Sequence, residues 1–317
     1  MIRRLVVTAS ALVALSSYGL VKNPDYLEAR RNGAKTKVVL KVVDDLGCAV
    51  SNAVINVFLG MNFRPKGYSI NGISDEMGFF TIEGKTCGDE IEIHIDKPGY
   101  YASRRKLCYA TIGKEHSVDG GKWLPYGDVQ QMVLRKKRHP VAMPSERFWQ
   151  FRYTKEMNSW IGFDICKNDF VRPHGMGEIA DFEILIDWDG EWLPKYKGMG
   201  VKIRFTEPFS GYYDLPVDSE SAFTGPYEAD TTRRYVQNAE FSEKVREDGE
   251  VDASHFNKAR CWVVRSRCKV DDKGNLVSAN YSVIHDIVFT CKKGRLGGFS
   301  ITGAFNPTPN DTNLEPQ

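Results

Sequence analysis

Glu90-Ile91-Glu92-Ile93-His94-Ile95-Asp96 alternates polar residues with isoleucine over seven positions. In an extended strand successive side chains point to opposite faces, so the three isoleucines share a buried face and Glu92, His94 and Asp96 a wet one. A helix would scatter the isoleucines around its circumference. Lys97-Pro98-Gly99-Tyr100 then turns the chain into a further strand carrying Arg104, Lys106 and Cys108. Upstream, Val38–Val43, Ala53–Phe58 and Phe79–Ile82 are short, β-branched or aromatic and bounded by Gly, Asp or Pro; downstream, Val129–Leu134 closes the series. About six or seven strands in about 100 residues is the rhythm of a β-sandwich.

Four segments carry a resemblance: Val42-Val43-Asp44-Asp45-Leu46-Gly47, Asn52-Ala53-Val54-Ile55-Asn56-Val57, Gly72-Ile73-Ser74-Asp75-Glu76-Met77-Gly78-Phe79-Phe80-Thr81-Ile82 and Lys97-Pro98-Gly99-Tyr100. Together, over roughly residues 37–135, they resemble the carboxypeptidase regulatory-like domain, a seven-stranded transthyretin-like sandwich used as an accessory module in exported proteins. Departures are Ser74 where Thr is more usual, Cys48-Ala49-Val50 where Pro often stands, and an insertion over 112–128. The resemblance implies architecture and carries no functional residue across.

The first twenty residues supply an address. Met1-Ile2-Arg3-Arg4 is cationic, and Leu5–Leu15 is apolar or small apart from Thr8 and Ser10. That run fits a secretory leader of roughly 7–15 apolar residues and falls short of the roughly 20 a spanning helix needs. Small residues at Ala14 and Ser16, or Ser17 and Gly19, place cleavage near 16–19. Later segments show no spanning length. Lys+Arg total 43 and Asp+Glu 41, for a formal charge of +2, which leaves no electrostatic footprint for nucleic acid.

Arg135-Lys136-Lys137-Arg138-His139-Pro140, with Pro144, breaks the strand pattern and reads as a linker. Beyond it Phe182–Trp188, Gly200–Phe205, Cys261–Cys268, Val277–Val288 and Phe299–Thr302 read as strands, with Asp271–Asn275 as a hairpin turn; Ser145–Ser159 and Thr231–Val245 are each expected to hold a short helix. The chain thus reads as all-β: a signal peptide (1–19), a linker (20–36), a seven-stranded Ig- or transthyretin-like sandwich (37–135), a linker (136–145), a β-rich domain (146–305) and a flexible tail (306–317).

Catalytic signatures fail in turn. Gly67-Tyr68-Ser69-Ile70-Asn71 and Gly298-Phe299-Ser300-Ile301-Thr302 lack the closing Gly of a nucleophile elbow, no His-Glu-x-x-His occurs, and Gly198-Met199-Gly200 lacks the rest of a phosphate-cradling loop. Asp187-Trp188-Asp189-Gly190-Glu191 reads as a tight hairpin turn rather than a calcium loop. Neither a cofactor nor a metal is expected. The catalytic candidates are His174 and Glu178, in the Gly-flanked loop Arg172–Glu178, with Asp187 nearby in sequence. The ligand-binding candidates are the loop aromatics Tyr212, Tyr213 and Tyr227, suited to stacking on a sugar or contacting a protein.

Seven cysteines follow the leader, none in a Cys-x-x-Cys pair. If residues whose numbers sum to about 197 face one another across the Lys97–Tyr100 turn, Cys108 lies opposite Asp89 with Cys87 diagonal on the isoleucine face, a disulfide candidate against the alternative of a reduced, buried pair. The functional expectation is an exported, non-enzymatic binding or structural protein, periplasmic, cell-surface or extracellular, with a carbohydrate, a peptide or an envelope protein as partner. The alternative is an exported hydrolase of unfamiliar type with its site near His174.

Overall fold

The computed structural model describes residues 24–60, 67–109, 117–144, 152–153, 159–188, 198–217, 220–246, 248, 250–290 and 298–317. The leader and its cleavage point lie outside the described residues, as do Asp189-Gly190-Glu191 and Cys291. The chain forms two compact units: one holds the residues up to Lys136 together with Glu220–Ala222, the other Lys137–Ser219 and Phe223–Gln317.

In the first unit the alternation read from Ile91, Ile93 and Ile95 is realised, each of the three being at most 1% exposed. A helix α1 (Pro24–Asn32) leads into β1 (Ala34–Asp44), β2 (Val54–Leu59), β3 (Tyr68–Ile73), β4 (Phe79–Thr86), β5 (Glu90–Asp96), β6 (Ser103–Cys108), β7 (Val118–Asp119), β8 (Lys122–Trp123) and β9 (Val129–Leu134). One sheet runs β4-β1-β8-β7 with β9 also parallel on β1; the other runs β3-β2-β5-β6. Leu40, Val42, Ile55, Val57, Ile82, Ile93, Met132 and Leu134 form one core from strands of both sheets. Burying each such side chain contributes about 1.5–3 kcal/mol.

Residues 24–34, expected as linker, instead belong to this core. Pro24 opens the helix, Asp25 sits in its first turn, Arg30 and Arg31 in its last, and Gly33 at φ +81° ends it with its N–H donating to the Ala29 carbonyl, as helix-terminus chemistry requires. Ala29 and Ala34 are buried, and Tyr26 stands edge-on to Trp123.

The second unit holds β10 (Arg152–Tyr153), β11 (Trp160–Asp164), β12 (Asp169–Phe170), β13 (Phe182–Trp188), β14 (Gly198–Arg204), β15 (Gly211–Pro216), β16 (Asn238–Val245), β17 (Val251–Ser254), β18 (Arg260–Val270), β19 (Leu276–Thr290) and β20 (Gly298–Asn306). Its sheets are β12-β11-β13-β14-β16-β17 and β10-β20-β19-β18-β15. Their shared core holds nine phenylalanines, among them Phe163, Phe182, Phe241 and Phe299, and Trp262. A second cluster, Tyr213, Tyr235, Val263, Ala279, Tyr281 and Leu314, includes the residues next in line to Tyr212, Trp262 and Val264 and so lies on the other face of β15 and β18. A strand covered on both faces needs a continuous apolar run, which Cys261-Trp262-Val263-Val264 supplies.

One of the two expected helices changes here. Within Thr231–Val245, β16 is a strand paired with β14 from Asn238↔Arg204 to Lys244↔Gly198; its Ala and Glu favour helix, and tertiary pairing overrides that preference. Of Ser145–Ser159 only Arg152, Tyr153 and Ser159 are described, the first two as a strand on β20; the helix expected there otherwise lies outside the described residues. Residues 306–317 are packed rather than frayed: Leu314 is fully buried, and the buried Glu315 carboxylate accepts the Arg138 and His139 backbone N–H groups, each at 2.7 Å. Sequence without apolar periodicity is thus held by polar bonds.

The Asp-x-x-Gly turn recurs in both units. Asp44, Asp75 and Asp271 each accept, on Oδ1, the N–H groups two and four residues on, and Gly47, Gly78 and Gly274 follow at φ +79° to +83°.

Candidate functional site

The His174 loop is pinned by carboxylates. Asp169 Oδ2 accepts the Met176 N–H at 3.0 Å, and Asp164 Oδ2 accepts the Glu178 and Ile179 N–H groups at 3.0 and 3.2 Å. A Cβ at Gly175 would stand 2.4 Å from the Phe170 carbonyl oxygen, so only glycine fits. His174 is half-buried and Glu178 exposed. Asp187, exposed on β13, is six residues of extended strand, about 20 Å, beyond Asp181. Asp181 in turn bonds Ile165, next to the Asp164 that holds Glu178. His174 and Glu178 share a loop; Asp187 belongs to a distant part of the sheet.

Two buried aspartates and an arginine lie beneath that loop. Arg267 donates from Nε to Asp181 Oδ1 at 2.9 Å and from Nη2 to Asp181 Oδ2 at 3.1 Å and Asp164 Oδ1 at 2.9 Å. Asp181 also accepts from Ser266 Oγ and the Ile165 N–H. Burial raises the Asp181 carboxyl above the usual carboxylate range, while Arg267, Ser266 and Ile165 hold it down. Burial opposes the charge on Arg267, and the bonds and charges of Asp181 and Asp164 outweigh it, raising its pKa. A bulge sets this up: between Ser266 and Lys269 the β18–β19 register shifts, and Arg267 adopts φ +53°. The guanidinium thereby lies over Phe305, a member of the phenylalanine core.

Two residues earlier, Arg265 is on the opposite face and differently served. It is 9% exposed. Its Nε donates to the Phe209 carbonyl at 2.7 Å, its guanidinium lies 3.9 Å from the Tyr235 ring centroid, and it stands opposite Tyr281 across the β18–β19 pair. Among the described residues it forms no ion pair with a carboxylate. Arg265 lines a concavity of about 550 Å³ with Phe209, Ser210, Arg233, Arg234 and Tyr235 among the other walls, and no acidic residue contributes to the lining. Arg233 leans on Asp230 at 3.5 Å, whereas exposed Arg234 has no ion pair among the described residues. Phe209 holds φ +65°, a region a bulky residue occupies at a cost of about 1–3 kcal/mol and one where strain gathers at sites.

The aromatic candidates do not form one platform. Tyr212 and Tyr213 are consecutive on β15 and face opposite ways: Tyr212 stacks on Trp262 at 3.8 Å, while Tyr213 stands edge-on to Tyr235 and accepts the Asp230 N–H at 2.7 Å. Tyr227 carries the Arg138 guanidinium 3.7 Å from its ring centroid, and both line a second concavity of about 300 Å³ with Glu315 and Asn313. The arginine concavity was not found from sequence, although Arg233-Arg234 beside Tyr235 was a visible signal.

No disulfide joins Cys87, which is buried, to Cys108, which is exposed. The β5–β6 register pairs Glu90 with Cys108, a sum of 198. That single step from 197 moves Cys108 to the wet face, since a slip of one reverses every side chain. Among the described residues no grouping of three or more His, Cys, Asp and Glu is placed to hold a metal, and no helix is long and apolar enough to cross a membrane.

No family model and no curated protein matches the chain. Among solved structures, 3-chlorocatechol 1,2-dioxygenase from Rhodococcus opacus 1CP aligns at 14% identity over 33% of this chain and 61% of its own, with a TM-score of 0.25. The major pilin subunit BcpA of Bacillus cereus aligns at 11% identity over 89% of this chain and 99% of its own, with a TM-score of 0.23. A streptococcal ancillary pilin aligns at 9% identity over 89% and 62%, with a TM-score of 0.21. The chain thus spans about three fifths of that dioxygenase's length. TM-scores so far below one half assign no common fold.

Proposed function

We propose that the chain is an exported, non-enzymatic β protein whose second unit binds a ligand. The observation that carries the reading is the 550 Å³ concavity lined by Arg233, Arg234 and Arg265 without a carboxylate, a wall built to hold charge rather than to relay protons. Supporting it, Asp164 and Asp169 beneath the His174 loop are engaged by backbone N–H groups and, for Asp164, by Arg267, which is structural employment. Export rests on the cationic start and the apolar run Leu5–Leu15. An accessory role for the first unit fits its aliphatic core and its resemblance to the carboxypeptidase regulatory-like domain.

Two measurements test this. Intact mass of protein from its native host is expected to place the N-terminus near residues 17–20, and an uncleaved Met1 form as the only species would refute export. Turnover of ester, glycoside or peptide substrates is expected to be absent; turnover that disappears in His174→Ala would restore the hydrolase alternative.

A further inference from the structure

Arg265 poses a charge problem that the described protein does not solve. A buried cation is ordinarily matched by an anion, because hydrogen bonds to neutral groups replace only part of its lost hydration. Arg267, two residues along the same strand, has two carboxylates. Arg265 has a carbonyl and an aromatic ring. The concavity it lines adds Arg233 and Arg234, so cationic groups meet there with no acid in the wall.

We propose that this concavity binds the phosphate or sulfate ester group of a small ring-bearing molecule. The inference rests on the binding reading above and names its ligand class. Guanidiniums present planar forks of donors, which suit a tetrahedral group with three free oxygens. A lone carboxylate offers two oxygens and a single charge to three cations. The volume also exceeds what a bare ion fills, since a water molecule occupies only about 30 Å³ of the liquid. Phe209, 43% exposed at the rim and fixed by its carbonyl on Arg265 Nε, offers a flat apolar surface to the rest of the ligand.

Calorimetric titration of the full chain at low salt is the test, with glucose 6-phosphate, glucose 6-sulfate, inorganic phosphate, inorganic sulfate, citrate and glucose as probes. The esters are expected to bind more tightly than the inorganic ions, and glucose not at all. Which ester binds more tightly identifies the source class. Arg234→Gln, an exposed position that spares folding, is expected to weaken the ester about ten- to a hundredfold, the worth of a charged hydrogen bond. Phe209→Ala is expected to weaken the esters and leave the inorganic ions unchanged.

Unchanged ester affinity in Arg234→Gln, or no binding of either ester at millimolar concentration, would overturn the proposal. Citrate binding without ester binding would overturn the ester class and leave the binding reading standing. Release of free phosphate from bound ester would do the reverse, refuting the non-enzymatic reading while keeping the site.

Discussion

The two units solve the same burial problem with different chemistry. The first has a mostly aliphatic core and keeps its charged residues on wet faces, where Glu92 meets Arg104 and Glu90 meets Lys106. The second brings two guanidiniums into its interior on one strand, Arg267 against two carboxylates and Arg265 against none among the described residues. The difference separates charge that holds a fold from charge left available to a ligand. Removing a partner from the first kind breaks structure, whereas supplying a partner to the second kind completes it.

The largest effect expected from this contrast is in the second unit. Asp181→Ala deprives Ile165, Ser266 and Arg267 of one acceptor at once, and equilibrium denaturation should show a loss of about 3–5 kcal/mol. A loss below about 1 kcal/mol would mean the network is dispensable and the contrast false.

The first unit should weaken at high pH. Tyr109 is buried against Trp123 and bonded to Thr36, and burial pushes its hydroxyl up to about 12 from 10.0. A raised folded value means the contribution is complete below pH ~10 and is lost as the pH climbs to ~12, about 2–3 kcal/mol in all. Stability curves between pH 9 and 12 should therefore fall for the wild type and fall less for Tyr109→Phe. In the second unit Cys268, raised to about 11 from 9.0 by burial, begins the same loss near pH 9, and Cys268→Ala isolates it.

Smaller is the effect of Gly78→Ala, which puts a methyl carbon 2.4 Å from the Val42 carbonyl oxygen at φ +79°; a loss of about 1–3 kcal/mol is expected by thermal unfolding. The smallest is a titration. Hydrogen bonds from Asn275 hold the Asp271 carboxyl below the usual carboxylate range, so its NMR midpoint should lie under 3.8, and its contribution is present above that and disappears as the pH falls through the lowered value. A midpoint above 3.8 would remove the turn's account.

What the sequence disclosed follows from the range of the interactions. The isoleucine alternation of β5 and the Asp-x-x-Gly turns depend on neighbours a few residues away, and both are legible. The helix α1 reads as linker: Pro24, Asp25 and Gly33 mark its ends, but its weak apolar stripe hides it from a periodicity reading. The run Cys261–Val264 announces burial on both faces but does not say what covers them, since Tyr235 and Leu314 arrive from elsewhere in the chain. The bulge that turns Arg267 toward Asp164 and Asp181 leaves no trace in composition. That Arg265 meets no carboxylate among the described residues is likewise a property of the assembled sheet, and residue counting could not isolate it among 43 lysines and arginines.

The account comes down to the two arginines of β18. Nitrogen-15 NMR of the guanidinium Nε groups, followed through a titration with glucose 6-phosphate, observes both in one sample. Arg265 is expected to shift and its Nε proton to exchange more slowly as ligand is added, while Arg267, already saturated by Asp164 and Asp181, stays where it is. Arg265 unmoved at saturating ester, or both resonances moving together, would contradict the division between structural and ligand-binding charge.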